Sequence, residues 1–334
     1  NGGGVLGRFD GLNLNYRLTD QYRLELLLGL PVERSSDTSP DSSRQFYGLN
    51  LTTGPWAKYW EAGGYLIEQH NNGLLDRKAI GGELRYMHPK RTLYGLIDYD
   101  LNYNKLNIAT LQGGYTLEDK SSFTLLLDYR ISPLLTTGNA LIGQSFNDLD
   151  EMQLSYNEQQ IQQLAVDRSA RSGTIDLGFN KPLNSDLLLS LNLNVSKIGG
   201  TPASAGVASS SGTDYEYYML GRISWNNLWQ VKDRNWLSLR LTELDSSNST
   251  TLSLNSRQPW GRWRFTPRLQ WDMRDYQNGD SQTTIAPGIR AEYQWKTGHL
   301  FELDAGWENS TTDNWLGSQT NQNSYYSLGY RWQF

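Results

Sequence analysis

The sequence contains no cysteine, which removes thiol catalysis, thiolate metal sites and disulfide frameworks together and is compatible with an oxidising compartment. Histidine is nearly as scarce. His70, His88 and His299 are the 3 present, and each falls at a turn or loop, away from any serine and carboxylate that could complete a hydrolytic constellation. No His or carboxylate cluster has metal-ligand spacing, so neither metal, cofactor nor enzymatic chemistry is expected. The net charge of -5 lacks the basic surplus of a nucleic-acid binder. Long apolar runs are missing as well: no stretch approaches the roughly 20 consecutive apolar residues of a membrane-crossing helix, and mean hydropathy is -0.61. The opening Asn1-Gly-Gly-Gly4 has neither the basic nor the apolar region of a secretion signal.

What is present is aromatic and glycine-rich, with 20 Tyr, 12 Trp and 32 Gly, a mixture that favours β-structure over a helical core. A strand that crosses a bilayer needs roughly 9 to 11 residues and is apolar only at alternate positions, so its average hydropathy stays low. Alternation is therefore the property to test, and it recurs along the whole chain.

The last strand is the clearest. Tyr326, Leu328, Tyr330, Trp332 and Phe334 share one face, and Ser327, Gly329, Arg331 and Gln333 the other. Upstream, Phe301, Leu303, Ala305 and Trp307 oppose Glu302, Asp304 and Glu308. Ile285 to Trp295 and Trp263 to Met273 repeat the arrangement with Pro287 and Pro267 among the apolar positions. Further apolar sets begin at Leu237, Tyr215, Leu187, Ile175, Phe123, Leu93, Ile80, Leu24 and Leu12, and none contains a charge.

A soluble sandwich also alternates, with its apolar face turned inward. Three features favour the membrane arrangement. The apolar faces end in Tyr and Trp, as interfacial girdles require; the opposite faces carry Arg, Asp, Glu and Gly; and short turns alternate with longer polar loops. With the C-terminus on the periplasmic side, the turns near Thr19, Gly54, His88, Glu118, Pro182, Pro259 and Lys296 are periplasmic. The loops Glu33 to Arg44, Gln69 to Lys78, Gly199 to Thr213, Asp245 to Thr250, Gln277 to Gln282 and Thr311 to Asn321 face outside. The expectation is an all-β, transmembrane, antiparallel up-and-down barrel. The chain holds about 17 such runs by this alternation, and because single-chain barrels have even counts the expected number is about 16, within 14 to 18. Either a strand precedes residue 1 or a weak run, Leu106 to Leu117 or Gln45 to Thr53, is misassigned. The chain reads as a single domain over 1–334, the C-terminal part of a longer protein.

One segment departs from this pattern. Between Ser132 and Gly173 lie about 40 residues, far beyond ordinary loop length. Within this insert, about 145–170, Ser155-Tyr-Asn-Glu158 fits a capping box, and Ile161, Leu164, Ala165 and Arg168 follow at helical spacing. One short helix is predicted, either packed on the rim or acting as a lid or plug through Tyr156, Gln160, Ile161, Leu164 and Arg168.

Parity assigns to the interior Arg17, Arg23, Glu25, Glu61, Glu83, Arg85, Asp98, Asp100, Asp128, Arg130, Asp176, Arg222, Arg240, Arg257, Arg264, Arg268, Asp272, Arg290, Glu292, Glu302, Asp304 and Arg331. An Arg facing lipid at mid-depth costs about 2 to 4 kcal/mol, so these side chains belong in water and line a pore. Acids dominate from Glu61 through Asp176, and Arg222 to Arg268 form a basic patch. The bland reading is that neighbours pair and stiffen the wall, as Glu83 with Arg85 or Arg290 with Glu292. The functional one is that unpaired members guide a charged or hydroxyl-rich polymer, with Tyr94, Tyr218 and Tyr325 as sugar-stacking platforms.

The alternating aromatic strand through Tyr326, Tyr330, Trp332 and the terminal Phe334 resembles the C-terminal assembly signal of bacterial outer-membrane proteins. The overall architecture resembles the export barrels of exopolysaccharide secretion systems of the cellulose, poly-N-acetylglucosamine and Pel types. That resemblance implies the outer membrane as location, the barrel-assembly machinery and periplasmic and inner-membrane secretion components as partners, and passive conduction of a polymer; the acidic wall suits a partly cationic polysaccharide. A small-solute porin, a protein or amyloid export pore and a structural or adhesive barrel remain alternatives.

Overall fold

The computed structural model describes residues 8–32 and 42–332; the opening glycines, most of the loop expected after Glu33, and Phe334 lie outside them. The chain forms β1 (Arg8–Arg17), β2 (Tyr22–Val32), β3 (Arg44–Thr53), β4 (Trp60–Asn71), β5 (Leu74–His88), β6 (Arg91–Asp100), β7 (Lys105–Thr116) and β8 (Ser122–Ser132). A helical insert follows, with a 3-10 turn (Thr137–Leu141), α1 (Leu149–Gln153) and α2 (Glu158–Asp167). Then come β9 (Ala170–Pro182), β10 (Leu187–Thr201), β11 (Ser210–Gly212), β12 (Glu216–Asn226), β13 (Arg234–Glu243), β14 (Ser247–Trp260), β15 (Trp263–Tyr276), β16 (Ser281–Lys296), β17 (His299–Asn314) and β18 (Gly317–Trp332).

These form an antiparallel up-and-down sheet of 18 strands. The contacts divide the chain into two compact units: residues up to Tyr115 with Thr124–Ile175 and Ser196–Thr213 make the first, and Thr116–Phe123, Asp176–Val195 and the chain from Asp214 make the second. In the first, β1 to β7 pair in sequence order; in the second, β12 to β18 do.

The strand number exceeds the expected 16 because both runs suspected of misassignment are genuine, as β3 and β7, and because β11 adds a three-residue piece to the connection after β10. Several connections expected as long loops are instead strand ends. β17 and β18 stay paired from His299↔Trp332 to Asn314↔Gly317, so Thr311 to Asn321 reduces to a turn at Trp315-Leu316. The run's Ser, Thr and Asn lack the apolar alternation that marks a strand, yet their backbone still pairs. β4 and β5 likewise turn at Asn72-Gly73, both left-handed at φ 49° and 75°, the geometry that Asn-Gly supplies at least cost.

The two faces have inverted polarity relative to a soluble sheet. In the first unit Leu12, Leu14, Leu49, Leu66, Ile80 and Ile97 are exposed, and on the opposite face Asp98 and Asp100 are fully buried. In the second, Leu269, Trp271, Ile285, Ile289 and Leu303 are exposed, whereas Asp272, Glu292 and Asp304 are at most 9% exposed. The apolar face carries aromatic clusters at the strand ends nearest the short turns. Trp60 meets Tyr86 at 4.7 Å and Trp56 at 5.7 Å between ring centres; Trp263 meets Tyr293 at 4.7 Å, and Phe301 meets Tyr330 at 5.1 Å. At the other end of β4 and β5, the apolar face passes beyond Leu66 and Ile80 into Glu68 and Lys78, joined at 2.9 Å, so the apolar band stops there.

The turn joining β12 to β13, missed in the sequence, is built around Asp233. Its buried carboxylate accepts backbone N–H bonds from Leu228, Trp229 and Gln230 at 3.0, 2.8 and 3.0 Å and a side-chain bond from Asn235 at 2.9 Å. Burial opposes its ionisation, but these donors prevail and hold the carboxyl below the usual range. Such a group stabilises the turn above its unfolded pKa and loses the contribution as pH falls through the folded value. Asp233→Ala is expected to lower the local stability of this turn by about 1 to 3 kcal/mol at neutral pH, read as faster amide exchange at Leu228, Trp229 and Gln230. The deficit should shrink once pH falls below the native carboxyl's pKa; an equal deficit at all pH values would contradict this assignment.

Candidate functional site: the charged face and its helical insert

Because side chains alternate, strand register decides which charges share a face. The pairs Arg17↔Arg23, Glu61↔Arg85, Arg264↔Glu292 and Arg290↔Asp304 join residues opposite one another. Register and parity place the residues assigned from the sequence on the polar face of their strands.

In the first unit, most of the acids are already held. Glu25 accepts from Asn13 at 2.6 Å and Asn50 at 3.0 Å. Glu83 pairs with Arg85 at 2.7 Å, and Asp128 with Arg130 at 2.6 Å while accepting from Thr110 at 2.6 Å. Asp98 is clamped by the buried Arg77 and by the Tyr65 hydroxyl, which donates at 2.6 Å. Neither Arg77 nor Tyr65 was singled out in the sequence, since a bulge at Gln69/His70 disturbs parity beside them. The same face carries an unexpected apolar cluster of Leu27, Phe46, Ile67 and Ala79 with Phe9 against it. It was concealed because each member sits beside an apolar residue of the opposite face, as Phe46 beside Tyr47. In the second unit, Asp176 accepts from Asn192 at 3.3 Å and Asn194 at 3.4 Å.

The basic side of the second unit divides in two. On β15 to β18 every arginine of this face reaches a carboxylate. Arg264 forks onto Glu292; Arg268 and Arg290 converge on Asp304 at 2.6 and 2.8 Å; Arg290 and Arg331 reach Glu302 at 3.3 and 3.9 Å; Arg274 lies 3.9 Å from Asp272. The pairing expected between Arg290 and Glu292 is thus replaced, because register sets Glu292 opposite Arg264 and Asp304 opposite Arg290. On β12 to β14 the arginines have no carboxylate within salt-bridge distance among the described residues: Arg240 donates to the Thr251 hydroxyl at 3.0 Å, and Arg222, Arg234 and Arg257 extend from the same face, with Arg234 directly opposite Arg257. Of the proposed stacking aromatics, Tyr94 and Tyr325 are covered by Arg85 and Arg268 at 5.6 and 5.9 Å.

The histidines lie apart: His70 beside Glu68 at 3.0 Å, His88 against the Tyr59 ring at 4.8 Å, and His299 hydrogen-bonded to the Tyr330 hydroxyl at 2.6 Å. Tyr326, Tyr330 and Trp332 share the apolar face of β18.

The insert has more structure than the single helix expected. α1 is too short to show periodicity and is announced only by its Asp148 cap, which accepts from the Glu151 amide at 2.8 Å. α2 begins two residues later than the expected box: Asn157 and Gln160 cap each other's backbone, both at 2.9 Å. Ile161, Leu164 and Ala165 bury against Leu135, Ala140, Leu149 and Met152, together with Leu74 of β5 and Ile131 of β8. The insert therefore has its own small core and is fastened to the strand ends. Thr137 donates to the Leu75 carbonyl at 2.7 Å, the Gly138 amide to Asp76 at 2.9 Å, and Asn72 to Asp150 at 2.7 Å. Arg168 grips the connection after β10, donating to the hydroxyl and carbonyl of Ser204 at 2.7 and 2.6 Å. Gln160 stays exposed and Tyr156 half-buried against the core.

No family model matches the chain, and no curated protein matches it. Among solved structures, it is similar to a bacterial polysaccharide outer membrane secretin at 9% identity and TM-score 0.37, covering 94% of this chain and 98% of that one. It is similar to outer-membrane expressed OmpT of Vibrio cholerae at 9% identity and TM-score 0.40, covering 94% and 98%. A mutant of Rh. blastica porin aligns at 12% identity and TM-score 0.33, covering 94% and 97%. Likenesses this distant carry no functional weight.

Truncating the insert core should release it without unfolding the sheet. Ile161→Ala is expected to cost about 2 to 5 kcal/mol locally, seen as accelerated amide exchange across Glu158–Asp167 with β14 to β18 unchanged. Equal loss in both regions would mean that the insert and the sheet unfold as one.

Proposed function

We propose that this chain is the barrel of an outer-membrane channel, a passive conduit without enzymatic activity, and that the cargo is a polymer, an exopolysaccharide on its way out of the cell. The inverted polarity of the sheet carries this reading. Exposed leucine, isoleucine and tryptophan line one face of strand after strand while ionised groups are buried on the other. In water such an apolar surface is an aggregation hazard far beyond the patches of ordinary soluble proteins. Against acyl chains it is the stable arrangement, and the aromatic clusters at the strand ends fit the interfacial level.

On this reading the sheet closes, the charged face encloses water, and the residues from Arg17 to Arg331 assigned above line the pore. Up to 18 strands leave an open lumen, where about 8 would be filled by side chains. The insert forms a cap at one mouth, held by Arg168 and the hydrogen bonds around Asn72 and Asp76. The end bearing the short turns and aromatic clusters faces the periplasm, together with the C-terminus. β18 is the segment that the assembly machinery engages, and periplasmic and inner-membrane secretion components supply the cargo. A polar wall that pairs most of its charges suits a hydroxyl-rich chain, because few bare ions remain to trap it. A small-solute porin is the second reading, favoured by the insert as a constricting element.

Reconstituted into planar bilayers, the chain is expected to give discrete conductance steps, and removal of residues 144–168 to enlarge them. Leu269→Arg, on the apolar face of β15, should destabilise the folded state in vesicles by about 2 to 4 kcal/mol if the side chain lies at mid-depth. Absence of conductance from folded protein, or tolerance of the arginine at no cost, would refute the channel or the lipid contact respectively.

A further inference from the structure

The arginines of the second unit are divided sharply. On β15 to β18, Arg264, Arg268, Arg274, Arg290 and Arg331 each have a carboxylate. On the neighbouring strands β12 to β14, Arg222, Arg234 and Arg257 have none within salt-bridge distance among the described residues, and Arg240 reaches only a hydroxyl. Arg234 and Arg257 stand directly opposite each other across the β13–β14 ladder, an arrangement of like charges that weakens a sheet unless something compensates it. A guanidinium fork is shaped for a carboxylate or phosphate and binds it in two parallel hydrogen bonds.

Two aromatic side chains share this part of the face. Trp236 pairs with Ser224 on one side and Asn255 on the other, two residues from Arg234 on its own strand. Tyr218 pairs with Thr242, two residues beyond Arg240. Both are half-buried. Unlike Tyr94 and Tyr325, neither is covered by a guanidinium in any of the cation contacts described above. From Arg234 to Arg240 the strand rises roughly 20 Å, and along it forks alternate with flat apolar surfaces.

We propose that the charged face of β12 to β14 is a binding track for an acidic glycan, with Arg222, Arg234, Arg240 and Arg257 taking its carboxylates and Trp236 and Tyr218 stacking on its sugar rings. This deepens the conduit reading and rests on it for biological sense, and it reverses the expectation of a partly cationic cargo: the acids of the first unit largely have partners, whereas these arginines have no carboxylate at salt-bridge distance. Aromatic rings add little for a simple anion, and a guanidinium fork holds a carboxylate more tightly than the hydroxyls of a neutral glycan. The combination selects a chain that offers both.

The test is binding, which does not require conduction. The folded chain in detergent micelles is titrated calorimetrically with an oligogalacturonate, a maltooligosaccharide of similar length, a chitosan oligosaccharide and inorganic polyphosphate. The uronate should bind at least tenfold more tightly than the neutral and cationic sugars, and more tightly still as salt is lowered. The triple variant R222Q/R234Q/R257Q should lose at least tenfold in uronate affinity, and Trp236→Ala should weaken uronate but not polyphosphate. Equal affinity for uronate and maltooligosaccharide overturns the proposal, as does a folded triple variant that binds uronate unchanged. Polyphosphate binding as tight as uronate, with no effect of Trp236→Ala, overturns the glycan part. Should the triple variant fail to fold, the comparison of sugars on the native chain still decides. If uronate binds but no conductance appears in bilayers, the conduit reading fails and the track stands; conductance without uronate preference fails the track alone.

Discussion

The structure depends on the two-residue period of an extended chain. A strand's side chains point alternately to opposite faces, and a register slip of one residue would exchange every apolar side chain for a polar one. Here that exchange would put Arg264, Arg268 and Asp272 where Phe265, Leu269 and Met273 now stand. The ladders hold because each strand satisfies its neighbour's backbone groups, which is also the condition that lets a β-structure lie in hydrocarbon, where no water is present to do so. Cross-strand charge pairing adds a second lock on register. Arg264 forks onto Glu292, directly opposite, and Arg290 reaches Asp304, also directly opposite; a slipped register would leave these charges crowded and unpaired.

Such pairs contribute more to specificity than to stability. Taking two ions out of water costs several kcal/mol each before their attraction is counted, whereas breaking a buried pair leaves one charge stranded. Asp304, shared by Arg268 and Arg290, and Asp98, shared by Arg77 and Tyr65, illustrate the point. Each acid is surrounded by donors from other strands, so its neighbours stay where the ladder puts them.

How much of this was legible in the sequence follows from what the period can report. Alternation identified nearly every strand and placed each candidate charge on a face, because that property is local. It failed where the face changes character. Leu27, Phe46 and Ile67 interrupt the polar side with apolar residues, and Trp236 sits among polar neighbours on the arginine-bearing face, so parity alone gave no reason to single them out. Partner choice was also out of reach. Arg290 has Glu292 two residues away, but register, a property of two strands, brings it Asp304 instead. Strand ends were underestimated between β17 and β18 for the opposite reason: the backbone goes on pairing after the side chains have stopped alternating. The insert showed its longer helix through the spacing of Ile161, Leu164 and Ala165. Its 3-10 turn and α1 owe their place to tertiary contacts with Leu74 and Ile131, which no local signal announces.

The insert and the arginine division bear on the same question, namely what kind of solute the charged face could accommodate. A helical segment with its own apolar core, held by Arg168 and by the hydrogen bonds of Asn72, Thr137 and Gly138, is fastened to the strand ends beside it. The proposed cargo is an extended polymer. Such a chain meets the wall at many points, and even weak contacts then add along its length. A wall of saturated ion pairs offers it little to hold, whereas a strip of bare guanidinium groups with flat aromatic surfaces between them offers repeated, shallow contacts. Repetition of shallow contacts lets a chain remain associated while each unit moves on, a behaviour that a single deep pocket cannot provide.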